Sequence, residues 1–316
     1  MTKPNSSHPI AALVPEAELD SFLANDFERR PAWFDRCATQ DHGFDLETFF
    51  TTLRDTVWPP KALSLVPDDL NMTSPQLLAK MVTKAGRFSL DRIRATRAQK
   101  ATIVVVEYQR FHQGMRQFIN AINKSGFYSA KANMYFTPSH AQGFIPHWDT
   151  HDVFVLQISG EKEWHLADSP GIENPTSHDA FKMAKDHPLE VEKTVRTLKA
   201  GEMLYIPRGY GHYAKALDSD SLHITIGLFS VMWYKVLEDL AEKLFLECPS
   251  LRTSLVTDVS NLDPETLDCS PIMDELANVT PDMIRGLVAE KLARRQKFER
   301  ENFGQTFGSS LDDLMK

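Results

Sequence analysis

The chain has 316 residues, 42% hydrophobic and 25% charged, with a formal net charge of −8. That composition is globular, with apolar content for one large domain and a smaller appendage. It disfavours a general nucleic-acid surface, and no apolar run approaches the roughly 18 residues of a membrane span.

Residues 1 to about 20 carry Asn5-Ser6-Ser7 and Pro4, Pro9 and Pro15, few apolar anchors and little periodicity, so a flexible arm is expected there. Within the first fifteen residues no basic segment precedes a long apolar core, which points to a cytoplasmic chain. Residues 46, 49, 50 and 53 are apolar at helical spacing behind Asp45, which predicts a capped helix with one buried face. Thr102-Ile103-Val104-Val105-Val106 predicts a buried strand, and Phe111 to Ile122 a helix that Lys124-Ser125-Gly126 stops.

Between residues 130 and 229 strand signals crowd together: 132–136, 153–158, 162–166, 194–198, 203–206, 212–216 and 222–228. Gly and Pro turns separate them, the pattern of an antiparallel sandwich or barrel. Residues 168–190 interrupt the series with four of the chain's prolines or glycines and many polar residues, a connection too long for a hairpin and a candidate lid. Beyond Phe229, residues 233–244 and 283–298 show helical amphipathicity, so the region 230–316 is expected to be helical. The basic residues between Arg285 and Arg300 fit a solvated helix face. Cys37, Cys248 and Cys269 lie too far apart for a metal motif and suit structural roles in a reducing compartment.

One constellation carries chemistry. His147 and Asp149 stand two apart in Pro146-His147-Trp148-Asp149, so on an extended strand imidazole and carboxylate leave on one face. His212, at the end of Gly201-x5-Pro207-x-Gly209-x2-His212, supplies a third inward group from a neighbouring strand. Any one of these alone reads as a surface or satisfied core residue. Two His and one carboxylate together make the facial triad of non-haem Fe(II) sites, which leaves adjacent coordination positions open. His151, two beyond Asp149, is expected to be turned away from the metal by strand twist.

The spacing Gly143-x3-His147-x-Asp149 with Gly160, followed by Gly201-x5-Pro207-x-Gly209-x2-His212, resembles the two cupin motifs. With Asn133-Met134-Tyr135-Phe136-Thr137-Pro138, Gly160-Glu161-Lys162-Glu163-Trp164 and Ser221-Leu222-His223-Ile224-Thr225-Ile226-Gly227, residues 130 to 229 look like the JmjC-type cupin oxygenases that hydroxylate ribosomal proteins. Phe27-Glu28-Arg29-Arg30-Pro31 is similar to that family's opening, and the carboxy-terminal helices resemble its dimerisation region. The resemblance implies an α+β chain that is mainly β with flanking helices. Its centre is a double-stranded β-helix (cupin/JmjC jelly roll) within a catalytic domain over 21–229, with the core barrel at about 100–229 and a helical dimerisation region over 230–316. It implies metal ligands at His147, Asp149 and His212, with Fe(II), 2-oxoglutarate and O2 as cofactor and cosubstrates. Lys162 falls where the family pairs a cation with the distal carboxylate of 2-oxoglutarate; Asn133, Tyr135 and His223 fall in the cosubstrate pocket. The closing Asn of the second cupin motif is replaced by Ala216, and the winged-helix module of larger members is expected to be reduced or absent.

The expected function is a 2-oxoglutarate-dependent dioxygenase hydroxylating a side chain of a protein or peptide, a ribosomal protein first among them. The expected assembly is a homodimer with no membrane and no direct nucleic-acid contact. The alternatives are hydroxylation of a small peptide or free amino acid in biosynthesis, and a non-catalytic metal-binding scaffold.

Overall fold

The computed structural model describes residues 8–39, 44–59, 61–67, 90–176, 194–254, 265 and 267–303. Among the described residues ten strands form two antiparallel sheets. The larger contains β1 (Ala32–Phe34), β2 (Leu63–Val66), β3 (Thr102–Val105), β4 (Tyr128–Thr137), β5 (Asp152–Ser159), β8 (Met203–Ile206) and β10 (Ser221–Ser230), in the order β1-β8-β5-β10-β4-β3-β2. The smaller places β6 (Glu161–Pro170) between β7 (Thr194–Lys199) and β9 (Tyr210–Ala216). The eight expected strands are all present, and most run further at one or both ends. The short edge strands β1 and β2 carried too little pattern to be read.

Alternation decides which residues face the barrel. On β10, Leu222, Ile224, Ile226 and Leu228 pack outward into the main core, while His223, Thr225 and Gly227 line the inside. β4 behaves the same way: Ala132, Met134 and Phe136 face the core, and Asn133 and Tyr135 face inward opposite Thr225 and His223. β5 serves two cores at once, Phe154 and Leu156 on one face and Val153 and Val155 on the other, which is why it reads as an unbroken apolar run. The inner cluster continues through Trp164, Leu166, Leu198, Leu204 and Ile206.

Helices cover the outer face of the larger sheet. α1 (Glu16–Asn25) inserts Phe22, whose ring meets Phe34, Phe154 and Tyr205 edge-on, the geometry that aromatic quadrupoles favour. α2 (Leu46–Asp55) starts at Asp45, which accepts a hydrogen bond from the Thr48 N–H at 2.7 Å, and buries Phe49 and Leu53 as its spacing requires. α3 spans Leu90–Ala98, and α4 (Gln113–Asn123) buries Met115, Phe118, Ile119 and Ile122. The flexible arm expected over residues 1 to about 20 is not found over 9–20: Pro9–Ala12 form a 3-10 turn, and Ile10, Leu13 and Val14 are fully buried. These three side chains occupy a site under the sheet that short-range periodicity cannot signal; residues 1–7 lie outside the described residues.

After β10 come α5 (Trp233–Glu247), α6 (Ser270–Ala277) and α7 (Pro281–Phe303), with no strand among the described residues. Val236, Leu240 and Leu244 of α5 meet Leu287 of α7 in a separate apolar cluster. α7 is tied to the barrel by the nearly buried Glu299, which accepts hydrogen bonds from Ser129 Oγ at 2.7 Å and Asn123 Nδ2 at 3.1 Å. The expected lid at 168–190 begins inside β6, since Asp168–Pro170 complete that strand; residues 177–190 lie outside the described residues.

Candidate active site

His147 and Asp149 were expected on a strand, and the structure corrects this. They occupy an irregular segment ahead of β5, where His147 makes an isolated bridge to His212 of β9. The two backbones exchange hydrogen bonds of 3.1 and 2.7 Å, and the Gly209 N–H donates to the Asp149 carbonyl at 2.9 Å. Pro146, with no N–H, breaks the ladder here, and the turn before β9 holds the segment from outside. Gly209 has φ +82°, and a Cβ there would lie 2.0 Å from the Ile172 carbonyl, so glycine is required for this turn to close.

The ligand atoms of His147, Asp149 and His212 lie within 4.8 Å of one another. His212 Nε2 is 3.7 Å from Asp149 Oδ2, and the two imidazole centroids are 4.5 Å apart. Nδ1 of His147 is 2.8 Å from the Ile145 carbonyl, and Nδ1 of His212 is 3.0 Å from the Tyr210 carbonyl. Each Nδ1–H donates to backbone, which leaves both Nε2 lone pairs available, the tautomer that a metal ligand needs. Burial, followed by the neighbouring His147, pushes the His212 pKa down to about 4, so its ring is neutral and able to coordinate at pH 7. The donor set, its compactness and the tautomers fit a divalent transition metal with open positions.

Lys162 lies on the same interior, 5% exposed, with Nζ donating to Thr137 Oγ1 at 3.0 Å. Burial lowers its pKa to about 7. Its neighbours Glu161 and Glu163 turn outward, and Glu163 pairs with His165 at 2.8 Å. Tyr135 and His223 stack with centroids 4.9 Å apart and planes 4° from parallel, and the Trp164 ring meets His223 nearly perpendicularly at 5.7 Å. Burial first, and then the charge of Lys162, hold His223 well below its ordinary pKa; its Nδ1 has no hydrogen-bond partner among the described residues. Burial likewise raises the Tyr135 phenol. Asn133 shares this face and accepts a hydrogen bond from the Glu107 N–H at 3.0 Å. The structure thus gathers all seven sequence-predicted residues inside one barrel.

His151 lies outside the compact set of ligand atoms: its ring stacks on Phe229 at 4.3 Å. The twist of a strand, expected to turn it away, is not the cause; an aromatic contact holds it. Arg208 is committed elsewhere, 2.7 Å from Glu28 and 3.5 Å from the fully buried Asp152. Asp152 Oδ1 also accepts hydrogen bonds from the Arg208 N–H and the Tyr205 hydroxyl, and Tyr210 Oη donates to the Arg29 carbonyl at 2.6 Å. The segment 27–30 therefore braces the turn that leads to His212. Sequence reasoning missed Thr137, Thr225 and Trp164 as pocket residues, although alternation from Tyr135, His223 and Lys162 reaches each of them.

Residues 104–236 match the family model of the JmjC domain. Ribosomal oxygenase 1 of Gallus gallus is 31% identical over 191 residues, covering 58% of this chain and 30% of that protein. The bifunctional lysine-specific demethylase and histidyl-hydroxylase NO66 of Dictyostelium discoideum is 44% identical over 102 residues, 31% of this chain and 19% of that protein. The chain spans less than a third of the length of these two relatives. Among solved structures, the Escherichia coli ribosomal oxygenase YcfD in complex with cobalt and succinic acid superposes with a TM-score of 0.55 at 16% identity, covering 87% of this chain and 70% of that one. YcfD with cobalt and 2-oxoglutarate gives 0.52 at 15% identity over the same shares. These superpositions show a shared fold, and at such identities the fold alone.

Proposed function

We propose, from the premise that residues 104–236 are a JmjC domain, that this chain is an Fe(II)- and 2-oxoglutarate-dependent oxygenase hydroxylating a protein side chain. The observation that carries the reading is the convergence of His147, Asp149 and His212 within 4.8 Å on the interior that also buries Lys162. When bound, the metal and cosubstrate supply oxidative decarboxylation of the keto acid to succinate and CO2, coupled to insertion of one oxygen atom of O2 into a C–H bond. His147 and His212 present fixed Nε2 lone pairs, and Asp149 adds the charge that completes the donor set. Lys162 supplies a cation for the far carboxylate of the keto acid, in a setting where a charge-assisted hydrogen bond is strong because water is excluded. Tyr135, His223 and Trp164 wall the space around it, and Asn133 fixes the position of the Glu107 backbone beside that space.

A ribosomal protein is the proposed substrate class, supported by the name of the Gallus gallus relative, ribosomal oxygenase 1. We also propose that α5 to α7 form a homodimer interface. Trp233, Leu237 and Leu246 of α5 are 73%, 60% and 65% exposed, and Ile272 and Met273 of α6 are exposed as well. Apolar surface on this scale marks an association site more often than a free one.

The test is succinate formation from 2-oxoglutarate by the purified protein, with and without Fe(II). Iron-dependent turnover supports the oxygenase, whereas absence of both turnover and metal binding would favour a non-catalytic scaffold. Mass spectrometry of the proteome with and without the protein then identifies the acceptor by the added mass of one oxygen atom.

A further inference from the structure

The inward positions of β10 form a ladder leading away from the buried lysine. His223 lies deepest beside Lys162, Thr225 follows opposite Asn133, Gly227 is next opposite Lys131, and Phe229 is last and half-buried. The open end of the barrel is therefore on the Gly227–Phe229 side. Here the backbone makes unusual room for one side chain. A Cβ on Gly227 would lie 2.7 Å from both Cδ2 and Nε2 of His151, closer than real Cβ contacts occur, so the imidazole occupies the volume that any other residue would fill. The ring lies flat on Phe229, with centroids 4.3 Å apart and planes 19° from parallel. Lys131 Nζ sits 5.8 Å from the Phe229 centroid and is held by Glu107 at 2.6 Å, which keeps the phenyl ring in place.

His151 is thus rigidly seated yet only half-buried, and among the described residues its ring nitrogens have no hydrogen-bond partner. It stands near the triad, two residues beyond Asp149. Across the triad, Phe144 is 5.8 Å from His147, and it and Ile145 are exposed at the lip of the segment that carries the ligands. The mouth therefore has an apolar wall on one side and, on the other, an aromatic shelf presenting a hydrogen-bonding edge.

We propose that His151, seated on Phe229 in the space left by Gly227, is a specificity-determining residue that hydrogen-bonds the incoming peptide side chain, selecting polar side chains with donors or acceptors over aliphatic ones. The proposal rests on the oxygenase reading and deepens it. A site built to hydrogen-bond a substrate group rejects analogues lacking that group strongly, because its own polar atom is then left unpaired; a purely apolar slot discriminates far less.

The experiment uses the full chain loaded with Mn(II) and 2-oxoglutarate and an array of peptides that vary one central residue through all twenty types. Wild type is expected to retain polar-centred peptides over their aliphatic counterparts. His151→Phe keeps the stacking and removes the hydrogen-bonding edge, and is expected to reduce that preference by about tenfold or more. Gly227→Ala, which displaces the ring, should reduce it in the same direction. Calorimetry of Mn(II) and 2-oxoglutarate with each variant separates this effect from damage to the metal centre, and both affinities should stay within about twofold of wild type. Wild-type preference retained in both variants, or no peptide preference in a wild-type chain that binds metal and cosubstrate, overturns the assignment of His151 alone. A wild-type chain that binds neither overturns the oxygenase reading and this inference with it.

Discussion

Lys162 is charged in water at neutral pH, yet burial brings its pKa from 10.5 to about 7 in the folded chain. Among the described residues it donates to a hydroxyl, Thr137 Oγ1, which does not compensate a full charge. A shift of that size corresponds to a cost on the order of 5 kcal/mol for the ammonium in the folded chain. A dianionic keto acid should recover much of this by pairing with the ammonium, so binding should draw a proton onto Lys162. With a pKa of about 7 the uptake is about half a proton at pH 7 and about 0.9 at pH 8, and it falls toward zero below pH 6. Calorimetric titration of 2-oxoglutarate into Mn(II)-loaded protein, repeated in buffers of different ionisation enthalpy, measures that number directly. Lys162→Met fills the space without the charge and gives the background from other groups. Its affinity for 2-oxoglutarate should fall about ten- to a hundredfold, the loss of one charge-assisted hydrogen bond. The ligand-free protein adds a check of sign. Between pH 7 and 10.5 the unfolded chain holds a proton that the folded chain has released, so stability should rise with pH across that window, and Lys162→Met should remove the rise. Proton uptake in wild type no greater than in Lys162→Met at pH 8 would refute the placement of the cosubstrate carboxylate at this lysine.

His147→Ala and Asp149→Ala should each abolish Mn(II) binding in calorimetry while circular dichroism stays native; full binding in either would sink the triad. Leu237→Glu should shift the mass in light scattering from a dimer to the 35.9 kDa chain without loss of helicity, and a monomeric wild type would make α5 to α7 an intramolecular cap. Gly160→Ala should lower the midpoint of denaturant unfolding, because φ is +67° and the new Cβ would lie 2.1 Å from the Asp220 carbonyl; an unchanged midpoint would mean the β5–β6 turn can rearrange. Phe154→Ala, emptying a fully buried position between Phe22 and Tyr205, should cost about 3–5 kcal/mol, measured the same way.

Much of the site was legible because its signals are local. The strand series from Ala132 to Leu228 declared itself by alternation, and the ligand types His147, Asp149 and His212 by their spacing around Pro146 and Gly209. The family resemblance assigns Lys162 inward, and the two-residue period then sets Glu161 and Glu163 on the opposite face, as the structure has them. Tertiary structure decided what depends on contacts distant in sequence. His147 and Asp149 are held by a single bridge to His212 and by the Gly209 N–H, an arrangement no local pattern encodes. The burial of Ile10, Leu13 and Val14 depends on a site built by strands more than a hundred residues later, so a proline-rich segment without periodicity could only look loose. Arg208, one cation among many in the sequence, is tied to Glu28 and Asp152 and so is withheld from the pocket. The seat of His151 exists because Gly227, seventy-six positions away (227 − 151), carries no side chain where the two strands' ends meet. Sequence thus determined which chemical groups the barrel carries and which face each strand presents, because those follow from covalent order and the two-residue period. Their tautomers, lowered pKa values and unpaired edges were set only by folding, because each depends on the distances and solvent exclusion that packing creates.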